Sequence, residues 1–283
     1  YPYPSNPWFG SFYKNGIKTV VTVHDCIPWI NKLYSKQLLS RLYNFKCKRA
    51  LKKADQILTV SEVSKKDIEK YIEIPVKKIV VIHNDAGDVF KKGEVDEGVL
   101  SHFKIKKGQY FLYVGGYDER KNVTELLLEY GEYAKKTDHP YPLVMVGGKQ
   151  VDNYLYSSLD REDPENGNII RTGFLDAESL AALYMHCSAY INLSKYEGFN
   201  IPVVEAANMG APLILSNINT HKELYNGHAL FVDISKKGAC TKALEKLCDK
   251  KIQERYSKKS KELSKKFSWR FSAQKMKDVL FSS

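Results

Sequence analysis

The chain lacks the residues and runs that mark several large protein classes. Its 283 residues include five cysteines, an odd number, at Cys26, Cys47, Cys187, Cys240 and Cys248, with no Cys-x-x-Cys anywhere. That excludes a disulfide framework or a zinc ribbon and fits a reducing compartment. Seventeen glycines and ten prolines are far too few for a collagen-like or linker-dominated chain. No stretch approaches the roughly eighteen consecutive apolar residues that cross a bilayer as a helix. The first residues, Tyr-Pro-Tyr-Pro-Ser-Asn-Pro, have neither the basic nor the apolar region of a signal peptide, and there is no initiating Met. A trimmed or partial product is therefore expected. HExxH, the phosphate-binding Gly-x-x-x-x-Gly-Lys-[Ser/Thr], GxSxG and GxGxxG are all absent, which removes the enzyme classes they define.

What is present is a globular composition, 43% hydrophobic and 12% aromatic, rich enough for a core and too rich for a disordered tail. The net charge of +11 is unevenly spread. Residues 1–95 hold 17 Lys/Arg against 9 Asp/Glu, residues 96–249 hold 16 against 21, and residues 250–283 hold 11 against 3. A basic–acidic–basic layout suggests a basic surface for an anionic partner, or simply solvated lysines.

Strand-like and helix-like segments alternate. Buried strands are expected at 18–23, 55–60, 78–82, 110–114, 143–146, 169–171, 190–193, 212–215 and 231–232, from β-branched and apolar runs bounded by glycine and polar turns. Helices are expected at 33–54, 61–72, 123–136, 176–187 and 202–209, with a helical region closing the chain. The polar, turn-rich run from Asn84 to Gly98 reads as a boundary. Parallel strands alternating with helices imply two Rossmann-like α/β domains, whose ligands sit outside the carboxyl ends of the strands. The expected divisions are 1–95, 96–265 and a closing helix at 266–283.

Three stretches at strand ends carry chemistry. Glu197-Gly-Phe-Asn-Ile-Pro-Val-Val-Glu205 leads from a strand into a helix. Pro202 suits the first helical turn, and Gly210 suits the stop. Amides from Gly198 to Ile201 are placed for phosphate or sugar hydroxyls, and the two carboxylates can grip two parts of one polar ligand. Both glutamates also read as ordinary surface residues. Tyr113-Val-Gly-Gly-Tyr-Asp-Glu-Arg-Lys-Asn122 puts Arg120 and Lys121 near a helix N-terminus, where cations are disfavoured unless an anion is shared. A solvated pair is the plain alternative. His24-Asp25 follows the first strand and reads as either packing or catalysis.

Taken in order, these stretches resemble the glycosyl transferases group 1 family, the GT-B glycosyltransferases of family 4. The resemblance rests on Gly115-Gly116 with Arg120-Lys121-Asn122, Thr172-Gly173-Phe174, the Glu197…Glu205 pair, Gly210-Ala-Pro212 and Phe267-Ser268-Trp269. In the first half His24-Asp25-Cys-Ile-Pro28 and Val60-Ser61-Glu-Val-Ser-Lys-Lys66 also match. It covers nearly the whole chain. Two departures stand out: the His-Asp pair arrives already at position 24, so the family's first βα units and their Gly-rich loop are missing, and Asn200 stands where the family commonly has Gly.

The resemblance implies a GT-B fold with an incomplete N-terminal domain. It implies transfer of a hexose from a nucleotide-diphosphate sugar, of UDP or GDP type, to a saccharide or lipid-linked saccharide, with retention and without cofactor or metal. No DxD motif occurs. Arg120 and Lys121 would hold the diphosphate. Glu197 and the Gly198, Phe199, Asn200 and Ile201 backbone would bind the donor sugar, and Glu205 the ribose. Gly115 and Gly116 would line the phosphates, Gly173 and Phe174 would border the base, and His24 would approach the sugar from the other domain. The 33–54 segment, with Lys36, Arg41, Lys46, Lys48, Arg49, Lys52 and Lys53 among Leu38, Leu39, Leu42 and Phe45, reads either as a face for an anionic membrane surface or as an ordinary core helix with a solvated basic face. The first reading gives a cytoplasmic protein peripheral on the inner face of the plasma membrane. A non-catalytic nucleotide-sugar-binding subunit and a GT-B-like sugar-nucleotide epimerase remain alternatives. Nucleic acid is the weakest partner, because the aromatics do not interleave with a basic stripe.

Overall fold

A computed structural model of the chain describes residues 18–30, 38–93, 95–148 and 168–281. The chain divides into two compact units. One comprises residues up to Asn84 together with Glu197–Phe199 and Phe267–Ser283, the other Asp85–Tyr196 and Asn200–Lys266.

The first unit is built on three short parallel strands, β1 (Val20–Thr22), β2 (Gln56–Thr59) and β3 (Ile79–Val81), in that spatial order. Val20 pairs with Gln56, and Ile57 with Ile79. Between them run α1 (Ile27–Ile30), α2 (Leu38–Lys53) and α3 (Glu62–Asp67), the last prolonged by a π-helical turn at Ile68–Ile72. Residues 33–37 of the expected 33–54 helix, Lys36 among them, lie outside the described residues. A core of Val23, Cys26, Leu51, Ala54, Ile57, Ile68, Ile72, Ile74 and Ile79 fills the layer between sheet and helices. Ser61 starts α3 as its side chain accepts from the Ser64 N–H, which satisfies one of the helix's orphan donors. The closing helix, Trp269–Phe281, belongs to this unit, with the Lys18 ammonium donating to the Val279 carbonyl at 3.0 Å.

The second unit carries, in chain order, α4 (Gly98–His102), β4 (Phe111–Val114), α5 (Val123–Ala134), β5 (Leu143–Val146), β6 (Ile169–Gly173), α6 (Ala177–His186), β7 (Ala189–Asn192), α7 (Ile201–Asn208), β8 (Leu213–Ser216), α8 (Asn219–Tyr225), β9 (Leu230–Val232), α9 (Ala239–Lys246) and α10 (Lys250–Ser264). Its six parallel strands lie in the order β6-β5-β4-β7-β8-β9. That is the doubly wound order 3-2-1-4-5-6, which reverses direction between β4 and β7. Strands β5, β7 and β8 are buried along their whole length, as parallel strands covered on both faces must be. Their apolar runs are what made them legible in the sequence.

Helix ends are set by particular residues. Asp176 caps α6 by accepting from the Ser179 N–H at 2.8 Å. Gly210, at φ 77°, ends α7. The Ala211 N–H reaches the Ala206 carbonyl at 2.9 Å and the Gly210 N–H reaches Ala207 at 3.0 Å, the paired bonds of a left-handed helix stop. At the start of α9 a buried carboxylate substitutes for a local cap. Glu129 of α5 accepts from the Gly238 N–H at 2.5 Å, the Thr241 N–H at 2.8 Å and the Thr241 hydroxyl at 2.9 Å.

Candidate functional site

The strand order reverses between β4 and β7, and doubly wound sheets bind ligands outside the carboxyl ends at such a reversal. Both strong sequence motifs fall there. After β4 the chain runs through Gly115 and Gly116 into a single 3-10 turn at Glu119–Lys121, and Asn122, at φ 56°, precedes α5. After β7 it runs from Ser194 to Asn200, which precedes α7. The loops are tied to each other. The Lys195 N–H donates to the Arg120 carbonyl at 2.8 Å, and Arg120 Nη1 donates to the Tyr196 carbonyl at 3.2 Å. Asp118 faces Arg120 Nε at 3.3 Å, and the Arg120 side chain is only 19% exposed. The guanidinium is thus held by acceptors from both loops at the positive end of a helix dipole. Cationic side chains gain nothing from that end of a helix, whereas an anion gains from both.

The strand ends on the other side of β4 are joined in the same way. The Gly115 N–H donates to Val146 at 3.0 Å and the Gly147 N–H to Gly173 at 2.8 Å. Gly148, at φ 75°, lies under the Tyr117 ring so closely that a Cβ would overlap it. Only glycine fits there. Gly173 has open space at its Cα, and Phe174 beside it is 67% exposed. The rim running along β4, β5 and β6 therefore ends in a largely exposed aromatic ring.

Asn200 occupies the left-handed region at φ 81°, which explains a Gly-or-Asn position: these two residues tolerate it best. Its side chain is buried, and Nδ2 lies 3.0 Å from His221 Nε2. His221 Nδ1 sits 3.0 Å from the Ser216 carbonyl, which can only accept. Nδ1 therefore carries the proton and Nε2 accepts from the Asn200 amide. Ser216 in turn donates to the Ser194 carbonyl at 2.6 Å. The start of α7 is anchored to β8 and α8 through this chain of bonds. Ile201 is the first helical residue and Pro202 the second.

On α7, Glu205 accepts from the Tyr184 hydroxyl at 3.2 Å. Burial raises the Glu205 pKa above the ordinary glutamate value, and the Tyr184 bond partly lowers it again. Tyr184 itself is held well above the usual phenol range, first by burial.

In the first unit the residues around Gly198 converge. Ser61 donates its hydroxyl proton to the Gly198 carbonyl at 2.7 Å, and the Gly198 Cα lies against the His24 carbonyl so that a Cβ would collide with it. Glu197 is buried. Phe199 is also buried, its ring centroid 5.3 Å from Phe267 and 6.0 Å from His83. Any ligand contact from Phe199 therefore comes from its backbone. The His24 pKa is lowered, first by desolvation of the ring, although the residue as a whole keeps solvent access; Asp25 opposes the shift. Asp25 spends one oxygen on the Ile27 N–H at 3.0 Å, at the start of α1.

The structure thus ties Arg120 directly to the β7–α7 loop and brings His24 against Gly198. It keeps Gly173 and Phe174 at β6, two strands from β4. Sequence reasoning missed Asp118, Ser216, His221 and the Tyr184 hydroxyl. Only the apolar spacing of Tyr184 shows in the sequence, and such spacing signals packing. Among the described residues no group of three or more His, Cys, Asp or Glu is arranged to hold a metal ion, and no helix is long and apolar enough to cross a membrane.

Two Rossmann-type units with this rim have the fold of GT-B glycosyltransferases. The profile "Glycosyl transferases group 1" matches residues 100–265, and "Glycosyltransferase Family 4" matches residues 2–84. The chain belongs to the glycosyl transferases group 1 family. It is 27% identical over 255 residues to O-antigen chain mannosyltransferase B of Escherichia coli, covering 89% of this chain and 67% of that protein. It is 28% identical over 220 residues to the O-antigen chain mannosyltransferase RfbU of Salmonella typhimurium, covering 75% of this chain and 56% of that one. Among solved structures it resembles WaaG, a glycosyltransferase involved in lipopolysaccharide biosynthesis (TM-score 0.72, 14% identity, 94% of this chain and 77% of that one). It also resembles HepE of Anabaena, solved with UDP and glucose (TM-score 0.77, 14% identity, 93% and 71%).

Proposed function

We propose that this chain transfers a hexose from a UDP- or GDP-type sugar nucleotide to a saccharide or lipid-linked saccharide, with retention and without a metal ion. The observation that carries the reading is Arg120, fixed by Asp118 and Tyr196 beside Lys121 at a helix N-terminus on the switch-point rim. Two relatives named as O-antigen mannosyltransferases favour mannose as the hexose and a surface polysaccharide as the product.

In this reading Gly115 and Gly116 let the diphosphate approach the backbone, and Arg120 and Lys121 balance the charge that grows on it as the C1–O bond breaks. A preorganised electrostatic contribution of this kind is usually the largest in such sites. The acceptor hydroxyl attacks from the same face, and its proton passes to the departing phosphate oxygen. Glu197 and the amides of Gly198, Phe199, Asn200 and Ile201 hold the sugar hydroxyls, joined by His24, whose lowered pKa favours a neutral ring. Glu205 holds the ribose, and Gly173 and Phe174 border the base. The exposed part of α2, with Arg41, Lys46, Arg49, Lys52 and Lys53 beside exposed Leu42 and Phe45, rests on an anionic leaflet, each cation adding about 1 kcal/mol. Lys48 and Lys52 also pair with Glu73, at 2.5 and 2.7 Å.

The test is a thermal-shift screen with EDTA against UDP, GDP, ADP, CMP and their common sugar conjugates, with Arg120→Ala and Glu205→Ala alongside. One nucleotide should stabilise the protein, by about 2.7 kcal/mol at a hundred times Kd, and both variants should lose the shift. Stabilisation by none, or equal stabilisation of both variants, refutes the donor site. Sedimentation with anionic vesicles tests the membrane assignment: binding unchanged by high salt and by Lys46→Glu with Arg49→Glu would refute it.

A further inference from the structure

Tyr184 is completely buried on α6, and its ring meets Phe90 edge-on at 5.9 Å and Tyr190 at 5.5 Å. A phenol in such surroundings needs a partner for its hydroxyl. The partner is a carboxylate oxygen, Glu205 Oε2 at 3.2 Å. Among the described residues the other oxygen, Oε1, has no protein donor. The phenol keeps its proton, since burial holds its pKa far up. The roles are therefore fixed: Tyr184 donates, Glu205 accepts, and the carboxylate plane is set by a side chain that cannot move without disturbing two aromatic neighbours. A half-buried carboxylate on a helix surface otherwise has several rotamers to choose from.

We propose that Tyr184 is a positioning residue for nucleotide recognition, its hydroxyl orienting the Glu205 carboxylate so that Oε1 receives a ribose hydroxyl. The inference rests on the assignment of Glu205 to the ribose. It adds a residue that never touches the ligand yet sets how well the enzyme tells a ribonucleotide from one without ribose hydroxyls. Selectivity of this kind depends on how rigidly the accepting group is held.

Titration calorimetry of GDP and UDP, each beside its 2′,3′-dideoxy form, tests it on wild type, Tyr184→Phe, Glu205→Gln and the double variant. Tyr184→Phe removes one oxygen and keeps the ring. It should weaken the ribonucleoside diphosphate about three- to tenfold, the worth of one hydrogen bond, and leave the dideoxy form unchanged. In the Glu205→Gln background it should have no further effect. Equal weakening of both forms would mean that Tyr184 only packs, and an unchanged ribonucleotide affinity would mean that it does nothing for the site; either overturns the proposal. If Glu205→Gln itself fails to weaken ribonucleotide binding, or no nucleotide binds wild type, the assignment of Glu205 falls first and takes this inference with it.

Discussion

Replacing Asn200 separates two contributions that the sequence alone merges. The residue sits at φ 81°, where a side chain with a Cβ costs roughly 1–2 kcal/mol for most residues. Its amide also donates to His221 Nε2 at 3.0 Å inside the core, and a buried acceptor left unpaired costs about 1–3 kcal/mol. Asn200→Ala incurs both penalties, so a loss of about 2–5 kcal/mol is expected. Asn200→Gly incurs the second without the first, but the extra freedom of glycine in the unfolded chain costs about 0.5–1 kcal/mol more. The alanine variant should therefore be less stable than the glycine variant by about 1 kcal/mol, even though it keeps more side chain. Urea unfolding followed by far-ultraviolet circular dichroism measures both. If alanine equals or exceeds glycine, the left-handed backbone at the start of α7 is not what selects the residue. If both variants lie within about 0.5 kcal/mol of wild type, a range typical of surface substitutions, the His221 bond contributes nothing.

The remaining predictions concern the same unit. Gly148→Ala should cost about 2–4 kcal/mol, because its positive φ and the Tyr117 ring both oppose a Cβ; adding Tyr117→Ala should recover only the overlap part, and strict additivity in the double-mutant cycle would contradict the packing. Glu129→Ala should cost about 3–5 kcal/mol in urea unfolding, since it leaves the Gly238 and Thr241 amides without their partner at the start of α9; a loss below about 1 kcal/mol would show that water replaces the carboxylate. Glu205 predicts a pH dependence. Its folded pKa is raised by burial, so its contribution to stability is complete below the unfolded glutamate pKa and is lost as pH rises through the folded one. Without nucleotide, Glu205→Gln should therefore gain in melting temperature over wild type as pH rises through that window. A difference that stays flat, or that grows toward acid, would refute desolvation as the cause.

The nine strands among the described residues stand in the sequence as apolar, β-branched runs, and all nine form where those runs lie. The caps Ser61 and Asp176 were legible for the same local reason: a short polar side chain bonds to an amide three residues on. Helix α8 was not legible. Its Asn-Thr-His-Lys-Glu segment looks like a polar loop, yet Thr220 and His221 are buried, and contacts with Asn200 and Ser216, distant in sequence or hidden in a strand, hold the histidine inside. Glu129 and the amides it holds lie 109 and 112 positions apart, so no local pattern announces the cap. In the proposed site, residue types and strand ends were readable. Their supports were not, because Asp118 looks like one more surface acid and the Tyr184 hydroxyl hides in an apolar stripe. Phe199 turns its ring into an aromatic cluster, a packing role that its place inside the motif does not announce.

The placing of Asp118 bears on what the rim is built to do. If positive charge alone mattered beside Arg120 and Lys121, an acid facing the guanidinium at 3.3 Å would be a loss, since it offsets the field offered to an anion. The structure keeps it, and adds the Tyr196 carbonyl on the second edge of the same fork. Both partners spend electrostatic attraction to fix direction. Arg is the cation for which direction counts, because its donors lie in one rigid plane, whereas the Lys ammonium acts as a point charge at the end of a flexible stem. Arg120 is therefore the aimed cation of the pair. On the proposed reading, that arrangement suits a diphosphate whose charge redistributes during the reaction better than static anion storage, since catalysis gains only from interactions stronger in the transition state than in the bound ground state.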